Sequence, residues 1–432
     1  SKNNNNNNNN NVVQEEFGGI KFQVNTAEMN EKVVAIQQFP RYAVCMEGEL
    51  LTYVREISLV LKPVIMARTL TSEQRRHAIE TMVPLANCLK SGLIKKNLKT
   101  EDVNKWLTEF IQDIIPSLVE AMNASDEVDE FSLICKTIQD LLDYIDIKIF
   151  KNAQCISDIT EQVAIAIRER QDRREINEEK SMDLIDTEIE YDVEADLADT
   201  IVDLVTKLTT TFGNNFLQIF DKYLGKLCID LISSLKHDDD ANIFEEDQIL
   251  SITMLTEIVR YSGNESNKFI ESMLKFARFY LPTHETISSQ LKQSICYFIG
   301  ICALKNGLNI NNIPNWLNLL KNIVNHNSSR NDENIDATEN AISSIAKICK
   351  IYSKNNNNNM DIIIEWIGML PIINDNEERE FCNNYLLSIL KNSNLLNDII
   401  QNKNIKMIEK LINIMAVSII NDDAAKQQYK EL

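Results

Sequence analysis

Apolar residues at helical spacing recur along this chain in paired segments, and that recurrence limits the fold more than any other feature. From residue 216 onward the pairs are 216–236 with 243–261, 267–280 with 287–304, 310–324 with 332–352, and 362–370 with 377–390. Each pair takes up roughly 40 residues, the spacing of stacked helical repeats of the HEAT type. The stretch 332–350, DENIDATENAISSIAKICK, carries the pattern most clearly. Ile335, Thr338, Ile342, Ile345, Cys349 and Tyr352 alternate steps of three and four, which is one apolar seam on a 3.6-residue helix. Ala341 and Ala346 beside the seam leave room for another helix to approach closely. Asp332, Asp336 and Glu339 stand near its start, and Lys347 and Lys350 near its end, as the helix dipole favours.

A chain of 432 residues is too long for one ordinary core. A stack of repeats escapes that limit, because each repeat contacts its neighbours and the core grows in one dimension. Ten glycines and seven prolines are few for this length and favour helices over a turn-rich β fold. The first half reads the same way. Helices are expected over 29–68, interrupted near Pro40 and kinked or ended early by Pro63. Further helices are expected over 72–89, 102–122 and 127–150, with Trp106, Phe110, Ile114 and Leu118 as a buried seam, and over 156–184. Trp316 and Trp366 also read as core.

Residues 1–26 form an asparagine-rich leader expected to be disordered, with Asn3–Asn11 an unbroken tract. A helical array is expected over 27–182 and a second over 204–432, capped by an apolar helix over 405–420. Asn355–Asn359 reads as a loop insertion. Between the arrays, 183–203 holds nine carboxylates and no Lys or Arg. Its EIEYDVEADL run alternates acidic and apolar residues at period two, so it is expected to be an acidic connector leading into a helix over 195–211.

Asp and Glu number 64 against 44 Lys and Arg, a formal charge of −20 that repels phosphate backbones and suits basic partners. Direct nucleic-acid binding is therefore not expected. No apolar run approaches the roughly 18 residues that span a membrane, and a polar tract stands where a signal peptide would. Nine cysteines, none in a C-x-x-C pair, read as buried free thiols. His77, His237, His284 and His326 are scattered and suggest no metal set. The sequence has no phosphate-binding glycine loop and no nucleophile elbow. An enzyme is not expected, nor a cofactor.

The wording of several segments adds to this reading. ENIDATENAISSIAKI resembles the ENxxATENxISAxGKI stretch of the karyopherin-beta (importin-beta) superfamily, and within it the importin beta-3 branch. Residues 31–65 match at Glu31, Lys32, Tyr42, Ala43, Tyr53 and Pro63; SEQRRHAIETMVPL matches VRxAAxESMPLL at Arg75, Ala78, Glu80 and Met82. LKQSICYFIGIC resembles VRQAAAYGLGVM through Lys292, Gln293, Tyr297 and Gly300. EWIGMLPIINDNEEREFCNNYLLSIL resembles HWLxWLPxxxDKEEAxxxFNYLCxLI through Trp366, Leu370, Pro371, Glu377, Glu378, Asn384, Tyr385 and Leu386. The likeness departs at Thr286, where the family places the Asp of an Asp–Arg ladder.

The resemblance runs from about residue 31 to 390 and implies an all-α, HEAT-repeat superhelical solenoid corresponding to the C-terminal half of such a receptor. It implies a nuclear transport receptor that shuttles between cytoplasm and nucleus through the pore. Its partners would be the nuclear localisation signals of basic cargo proteins, phenylalanine-glycine nucleoporins, and Ran-GTP, whose principal contact lies in repeats outside this sequence. The alternative is a HEAT-repeat scaffold such as a phosphatase regulatory subunit. Candidate contacts to basic cargo are Asp183, Asp186, Glu188, Glu190, Asp192, Glu194, Asp196 and Asp199. They read either as a docking strip or as a solvated linker. Asp336, Glu339 and Asn340 likewise read as groups on a cargo-facing surface or as local helix-capping groups.

Overall fold

In the computed structural model the described residues are 12–17, 20–67, 72–125, 127–180, 184–233, 244–352, 360–392, 395, 401 and 405–421. The tract Asn3–Asn11, the insertion Asn355–Asn359, Asp183 and His237 lie outside them. Two compact units are present, residues 1–212 and 213–432.

The first unit opens on an antiparallel pair, β1 (Val12–Phe17) and β2 (Ile20–Asn25), inside the leader expected to be disordered. The physical reason is legible afterwards. VVQEEF and IKFQVN are two short runs with β-branched and aromatic residues, separated by Gly18-Gly19, a two-residue hairpin signal. Helices follow: α1 (Thr26–Met46), a 3-10 turn (Glu47–Thr52), α2 (Val54–Met66), α3 (Ser72–Glu80), α4 (Met82–Lys95), α5 (Thr100–Ala124), α6 (Val128–Leu142), α7 (Ala153–Lys180) and α8 (Leu184–Phe212). α1 runs through Pro40 without a break, whereas α2 ends three residues after Pro63. The single helix expected over 72–89 is split at Thr81, whose hydroxyl donates to the His77 carbonyl at 2.7 Å.

α2, α5 and α7 stack as one layer, and α3 with α4, α6 and α8 as the other. Gly48 and Gly92 let the first 3-10 turn sit against α4, since a Cβ on Gly48 would lie 2.7 Å from the Gly92 nitrogen. α5 buries Val103, Leu107, Ile111, Ile114 and Leu118. Trp106, expected in that seam, is 53 % exposed, because the buried stripe passes through Leu107 instead.

The second unit continues with α9 (Asn214–Phe220), a π turn (Asp221–Gly225), α10 (Lys226–Ser233), α11 (Glu245–Tyr261), α12 (Ile270–Tyr280), α13 (Ser289–Leu304), α14 (Ile313–Val324), α15 (Ile335–Tyr352), α16 (Met360–Met369), α17 (Asn376–Asn392) and α18 (Ile405–Asn421). α11, α13, α15 and α17 stack in sequence, with α10, α12, α14 and α16 against them. α15 is the centre: every residue from Ala337 to Cys349 is buried, so the expected seam is one side of a helix enclosed all round. Gly300 makes this possible. A Cβ there would lie 2.5 Å from Ser344 Oγ and 2.8 Å from Lys347 Cδ, so only glycine lets α13 approach α15 this closely. Trp366 on α16 is fully buried and donates its indole N–H to the Ile342 carbonyl at 3.1 Å. Trp316 is likewise buried. Apart from the β1–β2 pair, the described residues of each unit form an all-α stack of helix pairs of the HEAT-repeat solenoid class.

Eight of the nine cysteines are buried free thiols, and Cys45 is exposed. Burial pushes the thiols of Cys228, Cys296, Cys302, Cys349 and Cys382 up to about 12, which keeps them protonated and unreactive.

Candidate functional site

The segment expected to be an acidic connector is the N-terminal part of α8, so Asp186, Glu188, Glu190 and Asp192 lie on a helix. Beside the period-two alternation, Asp192, Asp196, Asp199 and Asp203 follow steps of four, three and four, the spacing of one helix face. Asp196, Asp199 and Asp203 are exposed. Alongside them α6 presents Asp140, with Asp143 just past its end, both also exposed. The two helices are tied by Gln139 Nε2, which donates to the Thr200 carbonyl at 3.1 Å.

Within each helix neighbouring carboxylates act on one another. Partial burial raises the Asp199 carboxyl above its ordinary range, the Asp203 and Asp196 charges raise it further, and Arg170 opposes them. Asp140 is raised by burial and by Asp143, and Lys207 offsets part of this. Asp203 is raised by burial and eased by Lys136. Lys207 pairs with Asp143. The result is an exposed acidic strip along α6 and α8, partly offset by Lys136 and Lys207, a surface suited to further positive charge.

Glu194 does not belong to it. Two residues from Asp192 and Asp196, it falls on the opposite face and is buried against α7. There Arg173 Nε donates to its Oε1 at 2.6 Å, and Arg170 Nε donates to its carbonyl at 3.2 Å. Glu194 joins α7 to α8 and is unavailable to a partner.

Glu339 and Asn340 are internal as well. The Glu339 carboxylate is fully buried and accepts the backbone N–H groups of Ile373, Asn374 and Asp375 at 2.6, 2.9 and 3.0 Å. It therefore holds the segment that enters α17, with Asn340 Nδ2 donating to the Asp336 carbonyl at 3.1 Å and to Asp375 Oδ2 at 3.3 Å. Among these three, Asp336 alone stays exposed. Lys292, six residues after the departure at Thr286, donates from Nζ to Asn334 Oδ1 at 3.1 Å, so this contact to the next repeat is made to an amide and not to a carboxylate.

A polar network runs across α11, α13, α15 and α17. Tyr297 Oη donates to Glu257 Oε1 at 2.6 Å and accepts from Arg260 Nη1 at 2.5 Å. Lys347 Nζ meets Glu378 Oε1 at 2.6 Å with both side chains almost wholly buried, and Ser343 donates to the other carboxylate oxygen. Burial raises the Glu257 carboxyl, and burial together with the Glu257 charge raises the Tyr297 phenol.

In the first unit, Leu51, Val54, Leu89, Leu93, Trp106 and Phe110 line an apolar groove of about 450 Å³ between α2, α4 and α5. The exposed Trp106 forms part of its wall. Sequence reading missed this groove because Trp106 falls on a helix whose two sides are both apolar. Elsewhere the structure brings His284 and His326 together, with ring centroids 5.8 Å apart. Among the described residues no group of three or more His, Cys, Asp or Glu could hold a metal ion. No helix among them is long and apolar enough to cross a membrane.

No family model matches the chain. Importin subunit beta-3 of Saccharomyces cerevisiae is 29% identical over 149 residues, which are 34% of this chain and 13% of that protein. Among solved structures, Kap121p bound to RanGTP superposes with a TM-score of 0.71 at 16% identity, covering 98% of this chain and 39% of that one. Kap121p bound to Ste12p gives 0.71 at 16% identity, covering 98% and 38%. This chain thus spans about two fifths of the solved chains it matches. The chain is thus similar in sequence to importin subunit beta-3 over a third of its length, and it has the fold of the Kap121p structures over nearly all of it.

Proposed function

We propose that this chain is part of a nuclear transport receptor that carries basic cargo through the pore between cytoplasm and nucleus, with release controlled by Ran-GTP. The observation that supports it is the exposed acidic strip of Asp140, Asp143, Asp196, Asp199 and Asp203 on α6 and α8. A Lys/Arg-rich segment of cargo would lie along it, steered by the field and held by charge-assisted hydrogen bonds. Asp192, one helical turn before Asp196 in the sequence, would extend this acidic surface, and Asp183, Asp186, Glu188 and Glu190 are proposed as further contacts to basic cargo on the strength of the sequence. Asp336 is a further contact on the second unit. That the similar Kap121p structures hold RanGTP in one case and Ste12p in another favours the same assignment. The groove walled by Trp106 is suited to the aromatic side chain of a phenylalanine-glycine nucleoporin repeat.

The test is a titration with a Lys/Arg-rich localisation-signal peptide at two salt concentrations. Replacing Asp140, Asp196, Asp199 and Asp203 by Asn is expected to weaken binding about tenfold or more at low salt and to flatten the salt dependence. Equal affinity and equal salt slopes in the two proteins would rule the strip out as the cargo surface. Trp106→Ala is expected to weaken a phenylalanine-glycine peptide while leaving the basic peptide unaffected.

A further inference from the structure

In a stack of helical repeats each member packs on its neighbours, and the interactions are accordingly nearest-neighbour. One contact in the second unit breaks that rule. Arg260, in the last turn of α11, pairs with Glu377, in the first turn of α17, although α13 and α15 stand between these helices in the stack. The two residues are 117 positions apart.

Both ends are held before they meet. Arg260 donates to Tyr297 Oη at 2.5 Å, and its guanidinium lies 4.8 Å from the Tyr261 ring centre. Tyr297 is itself fixed by Glu257 on α11. On the other side, the residue following Glu377 is Glu378, locked to Lys347 of α15 at 2.6 Å in a buried pair. Lys347 also lies 5.5 Å from the Tyr297 ring centre and 5.4 Å from that of Phe381, so the two anchors share one cation. Fixing the side chains in advance reduces the ordering entropy that ordinarily cancels the gain of an exposed ion pair. The Glu377 side chain is 65% exposed and that of Arg260 25%, so the closing bond is open to solvent, whereas Glu257, Lys347 and Glu378 behind it are buried.

We propose that Arg260 and Glu377 form a salt-sensitive latch that ties α17 back to α11 and so couples repeats that would otherwise respond independently. With the latch closed, the four helices α11, α13, α15 and α17 are held at a fixed spacing. With it open, α17 moves with α15 alone. The latch therefore sets how far a disturbance at one end of this segment is felt at the other.

Hydrogen exchange on the full chain tests this. Glu377→Gln removes the closing charge at an exposed position and leaves the buried pair of Lys347 and Glu378 in place. It is expected to speed exchange about two- to fivefold in the last turn of α11 as well as in the first turn of α17. Raising the salt concentration is expected to bring the unmodified protein to the same rates and to change the variant little. Arg260→Gln, which disturbs a partly buried group, should give the same pattern at both ends. Glu380→Gln, an exposed neighbour outside the network, serves as the control and should leave α11 unchanged. Faster exchange confined to α17 in the Glu377 variant, or no salt response in the unmodified protein, would overturn the proposal.

Discussion

Replacing Lys347 by Met tests how the centre of the second unit is held together. The ammonium is 4% exposed, and the Glu378 carboxylate it meets at 2.6 Å is 5% exposed. Removing the cation leaves that carboxylate buried with the Ser343 hydroxyl as its remaining side-chain partner in the network. Breaking a buried pair by deleting one member costs about 3–5 kcal/mol, since the surviving charge has neither water nor counter-ion. The Met stem still fills the space beside Phe381, so little of that cost comes from lost packing. Exchanging both residues, Lys347→Met with Glu378→Leu, removes the stranded charge and should recover most of the loss. Native-state hydrogen exchange reads the outcome directly. The single variant should lower protection across α15 and α17 by about two to three and a half orders of magnitude, and the double variant by much less. A single variant that loses less than about 1 kcal/mol, or a double variant no better than the single one, would refute the argument.

Ile345→Ala should cost about 2–5 kcal/mol by urea denaturation, because the side chain is fully buried in the enclosed helix α15. The loosening should stay within the second unit in hydrogen exchange. Gly300→Ala should destabilise by about 1–3 kcal/mol, since Ser344 and Lys347 stand where the new methyl would go; an unchanged melting curve would show that α13 and α15 separate freely. The pH dependence of basic-peptide binding has a definite sign. The carboxyls of Asp140, Asp199 and Asp203 are raised, so these three still hold part of their protons just above the ordinary Asp value of about 3.9. Binding should strengthen as pH rises through that range, measured by titration at constant salt. Over the same interval these groups bind more protons folded than unfolded, so their contribution to stability declines as pH rises.

The stacked-helix architecture was legible in the amino-acid order because helical periodicity is local. Apolar residues three and four apart lie on one side of a helix whatever surrounds it, and the seam from Ile335 to Tyr352 needed no knowledge of its neighbours. The same locality placed the other helix pairs and the acidic character of α8. What it could not supply was which side of a helix meets a neighbour when more than one side qualifies. Glu194 and Asp196 stand two positions apart in one acidic run, yet α7 arrives with Arg170 and Arg173 on one side only, leaving Glu194 internal and Asp196 exposed. Asp336 and Glu339 separate for the same reason, since the segment 373–375 brings three N–H groups to Glu339. Trp106 is exposed because α5 turns Leu107 inward in its place. The pairing of Arg260 with Glu377, 117 residues apart, exists only once four helices are stacked. Composition and periodicity determined that this chain would be a stack of helices with an acidic surface; the packing of those helices decided which charges remain available to a partner.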